Sequence, residues 1–212
     1  VTEKADGDRY VLYIVNNQGY LINSKKNIIF TGVKFPDLNK DYLFDGEYIT
    51  KNINDENIKL FMIFDVYYEN MSLEKNFVHK LPFHSTDSEG LTRLNIIKEF
   101  KMNVLPNVIS DENSIRIDVK NYEFGNIGSK HDIGSDIYLN DCKIILNKCN
   151  NILRKSEKNA YEYRIDGLIF IPLFHSVKGT HKDDVQNYIG GKWCENFKWK
   201  PPDENSIDFQ VR

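Results

Sequence analysis

Apolar residues along the first third of the chain alternate or run in short blocks, the pattern of strands. Tyr10–Val15 is β-branched and aromatic and closes on the turn-forming Asn16-Asn17-Gln18-Gly19. Gly19–Asn23 and Ile28–Phe30 come next, separated by the polar Ser24–Asn27, and the spacing predicts an antiparallel meander. Tyr42–Ile49 and Ile58–Tyr68 are two more strands, with Asn52–Asn57 as their turn. The period then changes. Leu91, Leu94, Ile97 and Phe100 form a helical stripe, and a longer one through Ile144, Ile145, Cys149, Ile152 and Leu153 predicts a helix over about 136–155. Ile115–Val119 is a short strand between them, and strands return at Tyr163–Pro172, Trp193–Trp199 and Ile207–Val211. Strands at both ends with helices in the middle predict an α+β fold of antiparallel sheets flanked by helices, rather than alternating βαβ units.

The chain has 212 residues, enough for one large domain or two small ones, and no repeat or long linker divides it. Its 28 Lys+Arg against 31 Asp+Glu leave a net charge of −3, so nucleic acid could be met only by a local basic patch. The best candidate is the helix over 136–155 with the segment after it, which together carry Lys143, Lys148, Arg154, Lys155, Lys158 and Arg164; a solvated helix face explains these equally well. No apolar run approaches the ~18 residues of a membrane span. Three cysteines, an odd number, argue against a disulfide framework and for a reducing compartment. His79, His84, His131, His175 and His181 form no metal-ligand spacing with the cysteines, and Gly125–Lys130 lacks the spacing of a phosphate-binding loop.

Candidate chemistry lies elsewhere. Lys4-Ala5-Asp6-Gly7-Asp8-Arg9 sets a lysine beside a tight turn and an arginine; the amine is a nucleophile only when unprotonated. Phe44-Asp45-Gly46-Glu47 puts a carboxylate in an apolar strand, where it faces solvent or binds a ribose hydroxyl or a hydrated metal. Leu60–Asp65 is a core strand or, through Phe64, an aromatic face for a purine. Asp166-Gly167 interrupts an apolar strand, placing an acid beside a glycine that permits close approach. In Phe197-Lys198-Trp199-Lys200-Pro201 the two lysines share one face of an extended segment, a natural clamp for a triphosphate. Asp208 adds an acid in Ser206–Phe209.

Taken in order, K-x-D-G-x-R, D-G-E, F-D, D-G-L-I-F and K-W-K-P resemble motifs I, III, IIIa, IV and V of the covalent nucleotidyltransferases, the superfamily of mRNA-capping guanylyltransferases and ATP-dependent polynucleotide ligases. Asp166-Gly-Leu-Ile-Phe and Lys198-Trp-Lys-Pro-Pro look like the capping forms, and the Glu3-Lys-Ala-Asp-Gly variant looks like those of large cytoplasmic DNA viruses. The resemblance implies an ATP-grasp-like nucleotidyltransferase fold. It implies Lys4 as the nucleophile that takes GMP from GTP and passes it to a 5′-diphosphate RNA end, making a GpppN cap. It further implies Arg9 and Glu47 at the ribose, Phe64 stacked on guanine, and Asp166 with Glu47 at a Mg2+ or Mn2+ ion. Lys198 and Lys200 fall at the phosphates, with Asp208 orienting one of them. The expected setting is the cytoplasm, a viral factory or a virion, with no membrane partner.

Two departures go with this resemblance. Only Val1-Thr2-Glu3 precede the motif I lysine, and the chain stops at Arg212, about where the family's C-terminal OB-fold domain begins. The expectation is therefore a catalytic core spanning 1–212, cut at both ends from a longer polypeptide, weak or inactive alone, with OB-fold and possible triphosphatase and methyltransferase domains on the same chain. The alternatives are the adenylation domain of an ATP-dependent ligase and a non-catalytic nucleotide- or RNA-binding module.

Overall fold

The computed structural model describes residues 1–71, 74–76, 78–85, 91–125, 136–177 and 196–204. The strands are β1 (Thr2–Ala5), β2 (Asp8–Val15), β3 (Gln18–Asn23), β4 (Ile28–Lys34), β5 (Tyr42–Lys51), β6 (Asn57–Met71), β7 (Glu74–Asn76), β8 (Arg116–Val119), β9 (Ile165–Phe170) and β10 (Phe197–Trp199). The helices are α1 (Arg93–Glu99) and α2 (Asp136–Glu157). The architecture is α+β and sheet-rich. The larger sheet runs β4-β3-β2-β5-β6-β7, and β8 also pairs with β6; the smaller runs β1-β9-β10. Among the described residues the pairings are antiparallel, as expected, except β6 with β8, which is parallel.

The predicted meander is present. Asn16 and Asn17 take φ of 49° and 61°, the left-handed pair that a two-residue hairpin needs, and Val15 pairs directly with Gln18. The turn therefore ends earlier than expected, and Gly19 belongs to β3, where a Cβ would lie 2.8 Å from Thr31 Oγ1.

Alternation sends Leu12, Ile14, Leu21, Phe44 and Ile63 to one face of the larger sheet. There they meet Leu94, Ile97 and Phe100, with the Phe44 and Phe100 ring centroids 4.5 Å apart. Thr92 caps α1 by accepting from Asn95 N at 3.2 Å, and past Phe100 the helix widens into a π-helical turn before Pro106. Helix α2 lays Ile145, Cys149, Ile152 and Leu153 against Leu168 of β9 and Val1, while Leu139 and Leu146 stay exposed. The expected strand Trp193–Trp199 is seen as β10 at its end, with 193–195 outside the described residues, and Ile207–Val211 lies wholly outside them.

Arg93 is fully buried and fastens α1 to β6. Its Nε lies 2.7 Å and its Nη2 3.3 Å from the Asp65 carboxylate, and its Nη1 donates to the carbonyls of Leu81 and His175. Asp65 thus closes the apolar run of β6 with a structural ion pair. Removing one partner of such a pair costs about 3–5 kcal/mol. Arg93→Met should lower the denaturant midpoint by a corresponding amount, and adding Asp65→Asn in the same chain should restore much of it.

Candidate functional site

Lys4 sits inside β1, two residues before the bend at Asp6 and Gly7. β1 pairs with β9 through Thr2–Ile169, Glu3–Leu168 and Ala5–Ile165, with a register irregularity between Glu3 and Ala5. Across it the Lys4 ammonium reaches Asp166, donating to Oδ1 at 2.7 Å and Oδ2 at 2.8 Å. On the other side of β9, β10 carries the K-W-K segment, and Lys200 Nζ lies 2.7 Å from Asp166 Oδ2. Gly167 makes this possible. Its φ is +142°, and a Cβ there would stand 2.0 Å from the Trp199 carbonyl oxygen, so only glycine lets β10 approach.

Asp166 is mostly buried. Burial alone pushes its carboxyl up, but the hydrogen bonds from Lys200 and Lys4 outweigh it and hold the group below the ordinary carboxylate range. Glu47 behaves in the opposite sense. Burial raises its carboxyl, and the nearby ammonium groups of Lys120, Lys4 and Lys198 offset part of that rise. Lys198 and Glu47 therefore belong to the same field as the Lys4–Asp166–Lys200 cluster.

Lys120 was missed by sequence reasoning. It is 2% exposed, lies 5.6 Å from the centre of the Phe64 ring, and donates to the main-chain carbonyl of Glu3 at 3.1 Å. Burial pushes its ammonium down, opposed by Glu3 and Glu47. The Glu3 side chain is buried too, and accepts from Thr2 Oγ1 at 2.7 Å and Tyr163 Oη at 2.9 Å. The local signal was thin: one lysine directly after the alternating strand Ile115–Val119.

Arg9 and Glu47 are cross-strand partners on β2 and β5. The Arg9 guanidinium, however, is forked on Asp45, with Nε 3.0 Å from Oδ1 and Nη2 2.7 Å from Oδ2. Tyr67 Oη also donates to Asp45 and accepts from Arg9 at 3.0 Å. Phe64 is half-buried, and its carbonyl accepts from Tyr122 Oη at 2.5 Å. Asp208 lies outside the described residues. On the basic helix face, Lys148 pairs with Glu123 at 3.1 Å, and beyond the helix Arg164 pairs with Asp55 at 2.9 Å. Part of that face is thus committed to intramolecular ion pairs.

A cavity of about 310 Å3 opens beside Asp166, between Asp6, Ile53, Ser156, Asn159, Tyr161 and Arg164. Its lining includes none of Lys4, Lys198 or Lys200. Among the described residues no group of three or more His, Cys, Asp or Glu side chains is arranged to hold a metal, and no helix is long and apolar enough to cross a membrane. One or two carboxylates near a set of lysines is nonetheless a donor set of the kind that shares Mg2+ with substrate phosphates.

No family model matches the chain. It is 29% identical over 247 residues to the "Probable mRNA-capping enzyme" of Acanthamoeba polyphaga mimivirus. The chain resembles a capping enzyme. The match takes in 100% of this chain and 19% of the viral protein, so the chain spans about a fifth of that relative's length.

The geometry sets the direction of two titrations. With Lys120→Met, the cation that most offsets burial at Glu47 is gone, so the Glu47 carboxyl should titrate at higher pH than in the unaltered chain, as read by 13C NMR of its side chain. Because the Asp166 carboxyl is depressed on folding, the stability it contributes is present above its unfolded value of about 3.9 and is lost as pH falls through the folded value. Asp166→Asn should abolish that part of the acid dependence in unfolding curves recorded against pH.

Proposed function

We propose that the chain is the guanylyltransferase unit of an RNA-capping enzyme, with the ATP-grasp-like nucleotidyltransferase architecture its motifs imply. The observation that carries the reading is the Lys4 amine held on the Asp166 carboxylate, with Lys200 on the same carboxylate. The similarity to a viral capping enzyme supports it.

In this reading Lys4 Nζ loses a proton and attacks the α-phosphorus of GTP. A nitrogen–phosphorus bond forms, the bond to the bridging oxygen breaks, and pyrophosphate leaves. Asp166 touches the amine and orients it toward the phosphorus, and the proton passes to solvent. An incoming triphosphate competes for Lys200, which then turns from Asp166 to phosphate and leaves one carboxylate oxygen open.

Lys198 and Lys200 stabilise the negative charge that grows on the phosphates. Asp166 and Glu47 would hold a divalent ion, Mg2+ or Mn2+, whose charge offsets that of the leaving pyrophosphate. Phe64, beside Lys120, offers a ring to the guanine, and Arg9, fixed by Asp45, lies at the ribose end of the same face. In the second step a terminal oxygen of a 5′-diphosphate RNA attacks the phosphorus. The nitrogen–phosphorus bond breaks, Lys4 regains its proton, and a 5′–5′ triphosphate cap is released.

Incubation of the chain, extended at both ends toward the length of the viral relative, with α-labelled GTP and Mg2+ or Mn2+ should leave label on the polypeptide after denaturation. Lys4→Arg should abolish it, and Lys200→Ala should slow it about 100-fold. Label taken from ATP and not GTP would assign the site to a polynucleotide ligase instead. GTP binding without label would leave a nucleotide-binding module.

A further inference from the structure

The larger sheet has a second face. Tyr10, Leu12 and Ile14 of β2 turn to the core, and the alternate residues Arg9, Val11 and Tyr13 turn away from it. On β5 the same alternation sends Phe44 to the core and Leu43, Asp45 and Glu47 to this outer face. The proposed nucleotide site therefore occupies one end of the outer face, and the rest of that face continues from it.

Register sets three aromatic side chains in one row on this continuation. Tyr13 pairs with Tyr20, and Tyr20 with Phe30, on the adjacent strands β2, β3 and β4. The Tyr20 and Phe30 ring centroids are 5.6 Å apart and tilted by 46°. Phe30 is 50% exposed. Tyr13 lies four residues beyond Arg9 on β2, a distance of about 14 Å along the strand. The row thus runs sideways from the proposed site to the edge of the sheet.

The two outer strands of the row carry charge of one sign, while the loop beside β4 brings Asp111 near Gly32 through Ser114. The whole segment Gln18–Lys34, which forms β3, its turn and β4, contains Lys25, Lys26 and Lys34 and no aspartate or glutamate, in a chain with 31 acids among 212 residues. All three lysines are exposed. Asp45 on the same face is buried and already forked by Arg9. An apolar partner would need the rings but not the uniform positive rim. Rings in a row with cations and no acids on the same two strands fit a single strand of nucleic acid, whose bases stack while its phosphates meet the lysines.

We propose that this face is the bed for the unpaired RNA that continues from the 5′ end, with Tyr13, Tyr20 and Phe30 as the stacking row and Lys25, Lys26 and Lys34 as its phosphate contacts. The choice of RNA rests on the guanylyltransferase reading, and it adds where the acceptor strand lies. On this geometry, RNA affinity depends on strand length, because a short acceptor ends before the row.

Fluorescence anisotropy on the 212-residue chain with 5′-diphosphate RNA tests it, comparing a dinucleotide, a decamer and a decamer duplex, alongside the GTP-label assay. The single-stranded decamer should bind tighter than the other two. Phe30→Ala should weaken the decamer about tenfold, while leaving the dinucleotide and the GTP label unchanged; Phe30→Trp should bind like the unaltered chain. Lys25→Ala with Lys26→Ala should flatten the salt slope of decamer binding by about 1.4. Equal affinity for decamer and dinucleotide, equal affinity for the duplex, or a Phe30→Ala chain that binds the decamer normally would each overturn the proposal. In the last case, loss of a contact with another protein domain would reassign the face to that domain. Length-dependent binding that Phe30→Ala weakens, where the extended polypeptide takes no label from GTP, would sustain the RNA bed and refute the guanylyltransferase reading.

Discussion

One carboxylate, Asp166, is shared by two ammonium groups, and the smaller sheet is arranged around that sharing. Lys4 comes from β1, at the beginning of the chain, and Lys200 from just beyond β10, near the end of the described residues; β9 lies between the two strands and supplies the acid. The contact needs β10 to press on β9 more closely than a side chain at position 167 would allow, and the glycine there removes the obstacle. Lys4 and Asp166 are about four-fifths buried and Lys200 is more open, so the ions are shielded from water yet reachable. Strands, not loops, carry Lys4, Asp166 and Lys198, which fixes their directions by pairing before any ligand arrives.

Around that carboxylate charges of both signs are withdrawn from water together. Lys4, Lys120 and Lys200 face Glu3, Glu47 and Asp166, and the exposed Lys198 adds a positive charge on the open side. Burial disfavours an ammonium, as the lowered Lys120 shows, and Glu3 and Glu47 oppose that lowering. The Glu3 carboxylate is itself held by Thr2 and Tyr163.

Legibility in the sequence divides along the same physical line. Strands of the larger sheet show themselves by local alternation, and β2, β3, β5 and β6 lie where the pattern put them, each within a few residues. The site motifs were legible because each places a charge inside an apolar run, which is rare enough to stand out. β1 was not legible: four residues are too few to show a period, and their partner strand is distant in sequence. Lys120 was missed for the same reason. Its burial comes from β8 lying parallel to β6, a pairing that leaves no mark on the residues around the lysine. Asp45 and Asp65 look alike in the sequence as acids in apolar strands, and only the fold separates the one that fixes Arg9 from the one that anchors Arg93.

Among the described residues the two sheets meet near the β5–β6 turn, and this bears on what the rest of the surface is available for. Ala5 and Tyr163 of the smaller layer pack on Ile49, Leu60 and Met62, near the β5–β6 turn, so the smaller sheet covers the site end of the outer face. Farther along, the same alternation that builds the core must still send every second side chain outward. On β3 and β4 those outward positions could have been made uniformly polar at no cost to the core. They are instead aromatic and aliphatic, and Ile28 and Phe30 expose apolar area that folding alone leaves unexplained. An edge strand with exposed apolar residues invites pairing with other chains unless charge discourages it, and Lys25, Lys26 and Lys34 serve that end in the absence of a ligand. The same lysines that keep the edge from pairing with protein would attract phosphate, so protection of the edge and capture of an RNA strand require the same composition.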